Sequence, residues 1–461
     1  MVNQYIITST KEKIVMPKSF DLILSHTPRI LQDKMQNQVN SPTLPMLEET
    51  DAAILFCDIA GFSKLTDKIT SQKMGGIDLL VEILDAYIGL MVDMIMDHDG
   101  DIVKFAGDAF FAIWPVSKSN NMEKVLAQAM KCGLELKEKA NRFSIKGQTL
   151  DVRIALGGGP FTVYYVGGIF GRWELLLAGE AMNQVARAGG FAKAGEMVIA
   201  KELQTILEPL YTFESDVSGS KKLKTVNLEI DAEQTRVILP QTENLIQVYT
   251  PRAPAKIKPS CETALRAYLP RAILSEIDEN TTPHLADYRP VSVIFLKVLG
   301  LSFNKSYDIE YVNHIMQIMQ RCLYQFKGSI NRFGFDDKGA VLLAAFGLPP
   351  LVHDNDPFRA VKAAMKFRDR FKKNGLECVV GVGTGPVFCG TVGSIRRSEY
   401  TMHGTIVNMT AALMQASTSI LCDQNTYEAT CNEFEYQIAT PVKIKSQKEP
   451  VAVYTPLYSS L

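Results

Sequence analysis

The chain repeats itself once, and that repeat limits its architecture more than any other feature. Ala53-Ile-Leu-Phe-Cys-Asp58-Ile-Ala-Gly61-Phe62-Ser63 returns as Ser292-Val-Ile-Phe-Leu-Lys297-Val-Leu-Gly300-Leu-Ser302. Asp101-Ile-Val-Lys104-Phe-Ala-Gly107-Asp108 returns as Ser329-Ile-Asn-Arg332-Phe-Gly-Phe-Asp336. Two further blocks, Arg153 to Pro160 and Gly179 to Asn183, return at Val379 to Pro386 and Gly404 to Asn408. Four blocks in one order, displaced by 225 residues (Asn183 to Asn408) to 239 residues (Asp58 to Lys297), mean a duplicated domain. A solenoid has a far shorter period and more copies. The copies differ at charged positions, so they divide the labour of a shared site.

A chain of 461 residues with 46% hydrophobic content can bury two cores. We divide it into an N-terminal extension (1–45), a first domain (46–235), a linker (236–287) and a second domain (288–461). In the first domain, Ala52–Cys57 and Val152–Leu156 are expected as buried strands, and 72–97 and 121–141 as helices. Asp101–Phe105 and Ala109–Trp114 flank a tight hairpin turn. Val442–Tyr454 is expected as a terminal strand pair, with Lys221–Leu228 its first-domain counterpart. The predicted class is α+β, a mainly antiparallel sheet covered by helices.

Net charge is −1, which supplies no long-range pull toward nucleic acid. The stretch 77–96 carries Asp78, Glu82, Asp85 and Asp93, so a core helix is expected there and no membrane span. Residues 1–30 show no secretory signal pattern. The eight cysteines form no CxxC pair, which fits reduced thiols in a cytoplasmic protein.

Asp58 closes a strand and Asp108 tips a hairpin. As neighbours in one sheet they would offer an oxygen-rich seat for Mg²⁺ or Mn²⁺. Gly61 opens a helix whose free N–H groups suit a phosphate. Each aspartate alone reads as a cap or turn residue. The pair, inside Phe-Cys-Asp-Ile-Ala-Gly-Phe and Lys-Phe-Ala-Gly-Asp, points to a metal site.

These motifs, with Gly-x-x-Met/Val-Asn, resemble the class III nucleotidyl cyclases. The tandem layout and the Arg332 and Tyr400-Thr401 blocks resemble the soluble, bicarbonate-responsive adenylyl cyclases in particular. The resemblance implies two ferredoxin-like cyclase domains in a pseudo-symmetric, head-to-tail intramolecular pair, and hence a monomer. It implies ATP as substrate and a two-metal site of Mg²⁺ or Mn²⁺, with Ca²⁺ also admissible. Asp58, Asp108 and the Ile59 carbonyl then match the metal ligands. Arg153 and Lys445 match cations on the triphosphate, and Asn408 the ribose-positioning asparagine. Arg332 and Thr401, followed by Met402, match the purine contacts, while Gly61 and Phe62 line the substrate. Lys104, Leu177 and Arg187 match a bicarbonate pocket, although Arg187 lies one position past the family's arginine, which falls at Ala186.

Site one combines first-domain metals with second-domain purine and ribose contacts. It has Ala412 where the family carries a transition-state arginine. Site two has Lys297 in a metal seat, with Asp336 expected as the counterpart of Asp108, and is expected to be non-catalytic. Loss of one charged donor costs about 10² to 10³ in rate, so a weak adenylyl cyclase is the leading expectation. A nucleotide- or anion-binding pseudo-cyclase is the alternative that Ala412 favours. A guanylyl cyclase would need an acceptor for guanine, which Arg332 and Thr401 do not obviously supply.

Overall fold

The computed structural model describes residues 19–37, 44–61, 65, 69, 76–107, 109–142, 144–145, 148–207, 213–215, 221–223, 257–279, 287–301, 307–336, 339–444 and 449–457. Two helices, α1 (Ser19–Ser25) and α2 (Arg29–Asn37), precede the first sheet. That sheet is built from β1 (Met46–Ala60), β2 (Asp101–Ala106), β3 (Ala109–Pro115), β4 (Asp151–Gly167), β5 (Trp173–Ala178), β6 (Met197–Ile199), β7 (Phe213–Ser215) and β8 (Lys221–Leu223). Helices α3 (Gly76–Asp97), α4 (Met122–Arg142) and α5 (Glu180–Phe191) lie between these strands in the chain.

Short helices α6 (Glu262–Arg266) and α7 (Arg271–Glu279) lead to the second sheet. Its strands are β9 (Asp287–Val298), β10 (Ser329–Asp336), β11 (Gly339–Phe346), β12 (Cys378–Gly393), β13 (Ser398–His403), β14 (Ile420–Asp423), β15 (Tyr436–Val442) and β16 (Val451–Pro456). Helices α8 (Ile309–Gln325), α9 (Asp356–Lys373), α10 (Thr405–Ala416) and α11 (Gln424–Thr430) accompany them.

The duplication is visible strand by strand. The first sheet runs β2-β3-β1-β4-β6-β8-β7 with β5 on β4; the second runs β10-β11-β9-β12-β14-β16-β15 with β13 on β12. The central strands are apolar on both faces because helices cover one side and the partner domain the other. Ala53, Leu55 and Cys57 pack under α3 and α4. Ala52 and Ile54 join a core that also contains Val291, Val293 and Phe295 of the second domain.

Gly157 and Gly158, one residue past the expected end of a short strand, lie inside the 17-residue β4. A Cβ at Gly157 would come within 2.7 Å of the Ala181 carbonyl oxygen, so the missing side chain lets α5 lie close on the sheet. The terminal strand pair begins earlier than expected, at Tyr436, and Lys221–Leu223 pairs with β6 as Val453–Tyr454 pairs with β14.

The two domains clasp head to tail. Gly167 and Ile169, at the β4–β5 corner, donate their N–H groups to Asn313 and Gln320 of α8 at 2.7 and 3.1 Å. The equivalent β12–β13 corner meets α3: Ser394 donates to Asp93 at 2.8 Å, and Arg396 pairs with Asp97 at 2.6 Å. The residues before and after the first domain join this interface. α1 and α2 share its core with Ile257, Leu265 and Ile273, and Cys261 Sγ donates to the Met35 carbonyl at 3.6 Å.

Candidate active site

Asp58 lies near the end of β1, opposite Ala109 on one side and Arg153 on the other. Its side chain is only 7% exposed, and the half-exposed Arg153 guanidinium pairs with it. A buried carboxylate needs such a counter-charge, because desolvation alone would favour its neutral form. Asp108, Phe62 and Lys445 lie outside the described residues. Ala109, which follows Asp108 directly in sequence, is the rung facing Asp58. Gly61 takes a positive φ of 80° at the end of β1, and a Cβ there would meet nothing within 4 Å. Among the described residues no cluster of three or more His, Cys, Asp or Glu side chains forms around Asp58.

The second domain supplies the facing wall. A Cβ at Gly107, in the β2–β3 turn, would lie 3.9 Å from the His403 ring at the end of β13. Two strands' worth of register tie the rest. Glu399 accepts from the Phe105 N–H at 3.4 Å, and Arg397 lies over the Phe105 ring at 5.1 Å. Side chains alternate along a strand, so Glu399, Thr401 and His403 share the face turned to β2. Thr401 is buried between them. Met402 falls on the opposite face, and its side chain is in the core with Tyr400 and Ile406. Asn408 is exposed on the first turns of α10, and Ala412, one turn on, is half-buried.

Arg332 and Lys104 are equivalents, each following a β-bulge in its hairpin. Lys104 donates to the Phe333 carbonyl at 2.9 Å across the domain interface. Desolvation pulls its ammonium down to about 8; Glu174 and Glu399 oppose that shift, and Arg332 adds to it. Burial also pushes the Glu174 carboxyl up. Arg187, by contrast, is exposed and pairs with Glu180 at 3.0 Å and Glu202 at 2.7 Å. Leu177 is buried on β5 opposite Val163. Among the described residues no contact joins Arg187 to Lys104, so the structure does not assemble these two cations into one pocket.

Site two departs further from a metal site than expected. Lys297 occupies the rung of Asp58, with Val379 where Asp58 has Arg153. The second hairpin is longer: Arg332 pairs with Leu343 and the ladder continues to Asp336–Gly339, whereas Lys104 pairs with Phe111 and the ladder ends at Ala106–Ala109. Val341 faces Lys297 as Ala109 faces Asp58. The residue before that rung is therefore Ala340, and Asp336 is not the counterpart of Asp108. Matching the sequence without a gap hid the two extra rungs.

A sequence profile described as the adenylate and guanylate cyclase catalytic domain matches residues 44–237 and 286–455. The chain belongs to the class III adenylate and guanylate cyclase family. Adenylate cyclase type 10 of Oryctolagus cuniculus is 28% identical over 423 residues, covering 85% of this chain and 25% of that protein. The Homo sapiens protein of the same name is 28% identical over 415 residues, with the same coverage. The chain thus spans about a quarter of the length of the curated relatives it matches. A solved class III adenylyl cyclase-like ATP-binding protein from Pseudomonas aeruginosa superposes with a TM-score of 0.56 at 13% identity, over 87% of this chain and 92% of that one. That likeness shows the tandem fold. No helix among the described residues is long and apolar enough to cross a membrane.

Proposed function

We propose that this cyclase converts ATP to 3′,5′-cyclic AMP and pyrophosphate at site one, as a single-chain pair of domains. The approach of the Gly107 turn to His403 carries the reading. It sets the aspartate edge of the first domain against the strand that bears Thr401. Asp58, Asp108 and the Ile59 carbonyl would hold Mg²⁺ or Mn²⁺, which would supply activation of the 3′-hydroxyl and neutralisation of the triphosphate. Arg153 is close enough to Asp58 to exchange its carboxylate for a phosphate oxygen. Arg332 donates to the acceptor N1 of adenine, Thr401 closes the purine wall, and Asn408 orients the ribose. Lys445 adds charge on the triphosphate. The 3′-oxygen attacks the α-phosphorus in line as pyrophosphate leaves, so pre-positioning supplies much of the rate.

Ala412 supports a second reading, a nucleotide-binding pseudo-cyclase. Its methyl cannot stabilise charge that develops on the α-phosphate. The test is cyclic AMP formation by the purified chain with Mg²⁺ and with Mn²⁺, beside Ala412→Arg. We expect product from the wild type and an increase of about 10²-fold in the variant. Tight ATP binding without product in either protein would overturn the enzyme reading.

A further inference from the structure

The buried Arg397 at the β12–β13 corner makes contacts with three separate parts of the chain. Nε donates to the Ile102 carbonyl of β2 at 2.9 Å, and Nη1 reaches the Ser25 carbonyl at the end of α1 at 3.5 Å. Nη1 also donates to the Ser398 carbonyl, and Nη2 pairs with Glu399 at 3.1 Å. Glu399 in turn accepts from the Phe105 N–H. A 4%-exposed guanidinium with all these acceptors is a rigid fork, which a lysine cannot reproduce.

The acceptors lie on both walls of the candidate site. Ile102 and Phe105 belong to the strand that leads to the Gly107 turn, and Glu399 is two residues before Thr401. The equivalent residue in the first domain, Arg172, donates instead to the Arg266 carbonyl of α6 at 3.2 Å. Each corner arginine therefore holds one of the helices outside the two sheets, and the Arg397 corner is the one beside site one.

Resting on the cyclase reading, we infer that Arg397 is a positioning residue for the purine. Together with Glu399 it fixes β13 against β2, and so fixes Thr401 relative to the metal edge. The phosphates are held mainly from the first domain, so the loss of Arg397 should fall on the base and spare the triphosphate. A residue that merely stabilised the fold would weaken both alike.

The test compares binding of ATP and of inorganic tripolyphosphate, each with Mg²⁺, to the wild type, Arg397→Gln and Arg397→Lys by calorimetry. In Arg397→Gln we expect ATP affinity to fall about tenfold or more while tripolyphosphate affinity holds, with Arg397→Lys between. Glu399→Gln, which leaves the guanidinium and its carbonyl partners in place, should show the same selective loss. It serves as the test if Arg397→Gln does not fold. Parallel weakening of both ligands, or no change in either, overturns the inference. A wild type that binds no ATP sinks the cyclase reading itself. The strand contact is then judged by hydrogen exchange at the Phe105 amide, where unchanged protection in Arg397→Gln overturns it.

Discussion

Asp58 and Lys297 stand on the same rung of two equivalent ladders, and on the proposed reading that one exchange would separate a metal seat from its non-catalytic counterpart. We predict that Asp58→Asn lowers cyclic AMP formation by more than about 10²-fold with the fold retained. Product assays beside far-UV circular dichroism check this; substantial residual turnover would reject Asp58 as a metal ligand. The exchange was legible in the sequence because β1 and β9 align without a gap. The counterpart of Asp108 was not, because two extra rungs in the second hairpin move Asp336 beyond the edge. The partners of Arg187 were equally invisible: Glu202 lies 15 residues on, brought near by folding.

At the scale of elements, the helix pair before the first sheet is tied down by buried polar groups. Asp101 of β2 accepts from the N–H groups of Arg29 and Ile30 at 2.9 and 2.8 Å, capping the start of α2. His26, at the end of α1, is buried beside Ser25, Ser398, the Leu22 carbonyl and Arg397. Burial lowers its imidazole to about 4, with Arg397 adding to the effect. Between pH 6.5 and 4 the unfolded chain therefore binds a proton that the folded one refuses, and stability falls as pH drops. We predict that His26→Gln removes a part of this acid sensitivity worth on the order of 3 kcal/mol. Urea titrations of both proteins at pH 7 and pH 4.5 check it; identical losses would show that His26 is not a source. The sequence marked residues 1–45 as an extension because they end in the polar run 36–43. Nothing local announced that residues 19–37 dock on residues 257–279, since the pairing depends on contacts more than 200 positions apart.

For the whole molecule, the repeat foretold two sheets of one strand order. The shared core between Ala52, Ile54, Val291 and Val293 adds that the halves are not independent bodies. We predict that amides in β1 and β9 exchange through one global opening with a common denaturant dependence. Separate slopes for the two strands would mean that each half unfolds alone. Strand register also makes Leu176 the equivalent of Thr401, since Tyr164–Leu176 matches Gly390–Thr401. Two copies of the first half, joined as these halves are joined, would face each Asp58 edge with an aliphatic wall. Two copies of the second would have a wall and no edge. The repeat is thus not a spare: a chain that lost either half could not rebuild the site by self-association, however closely the survivor kept the fold.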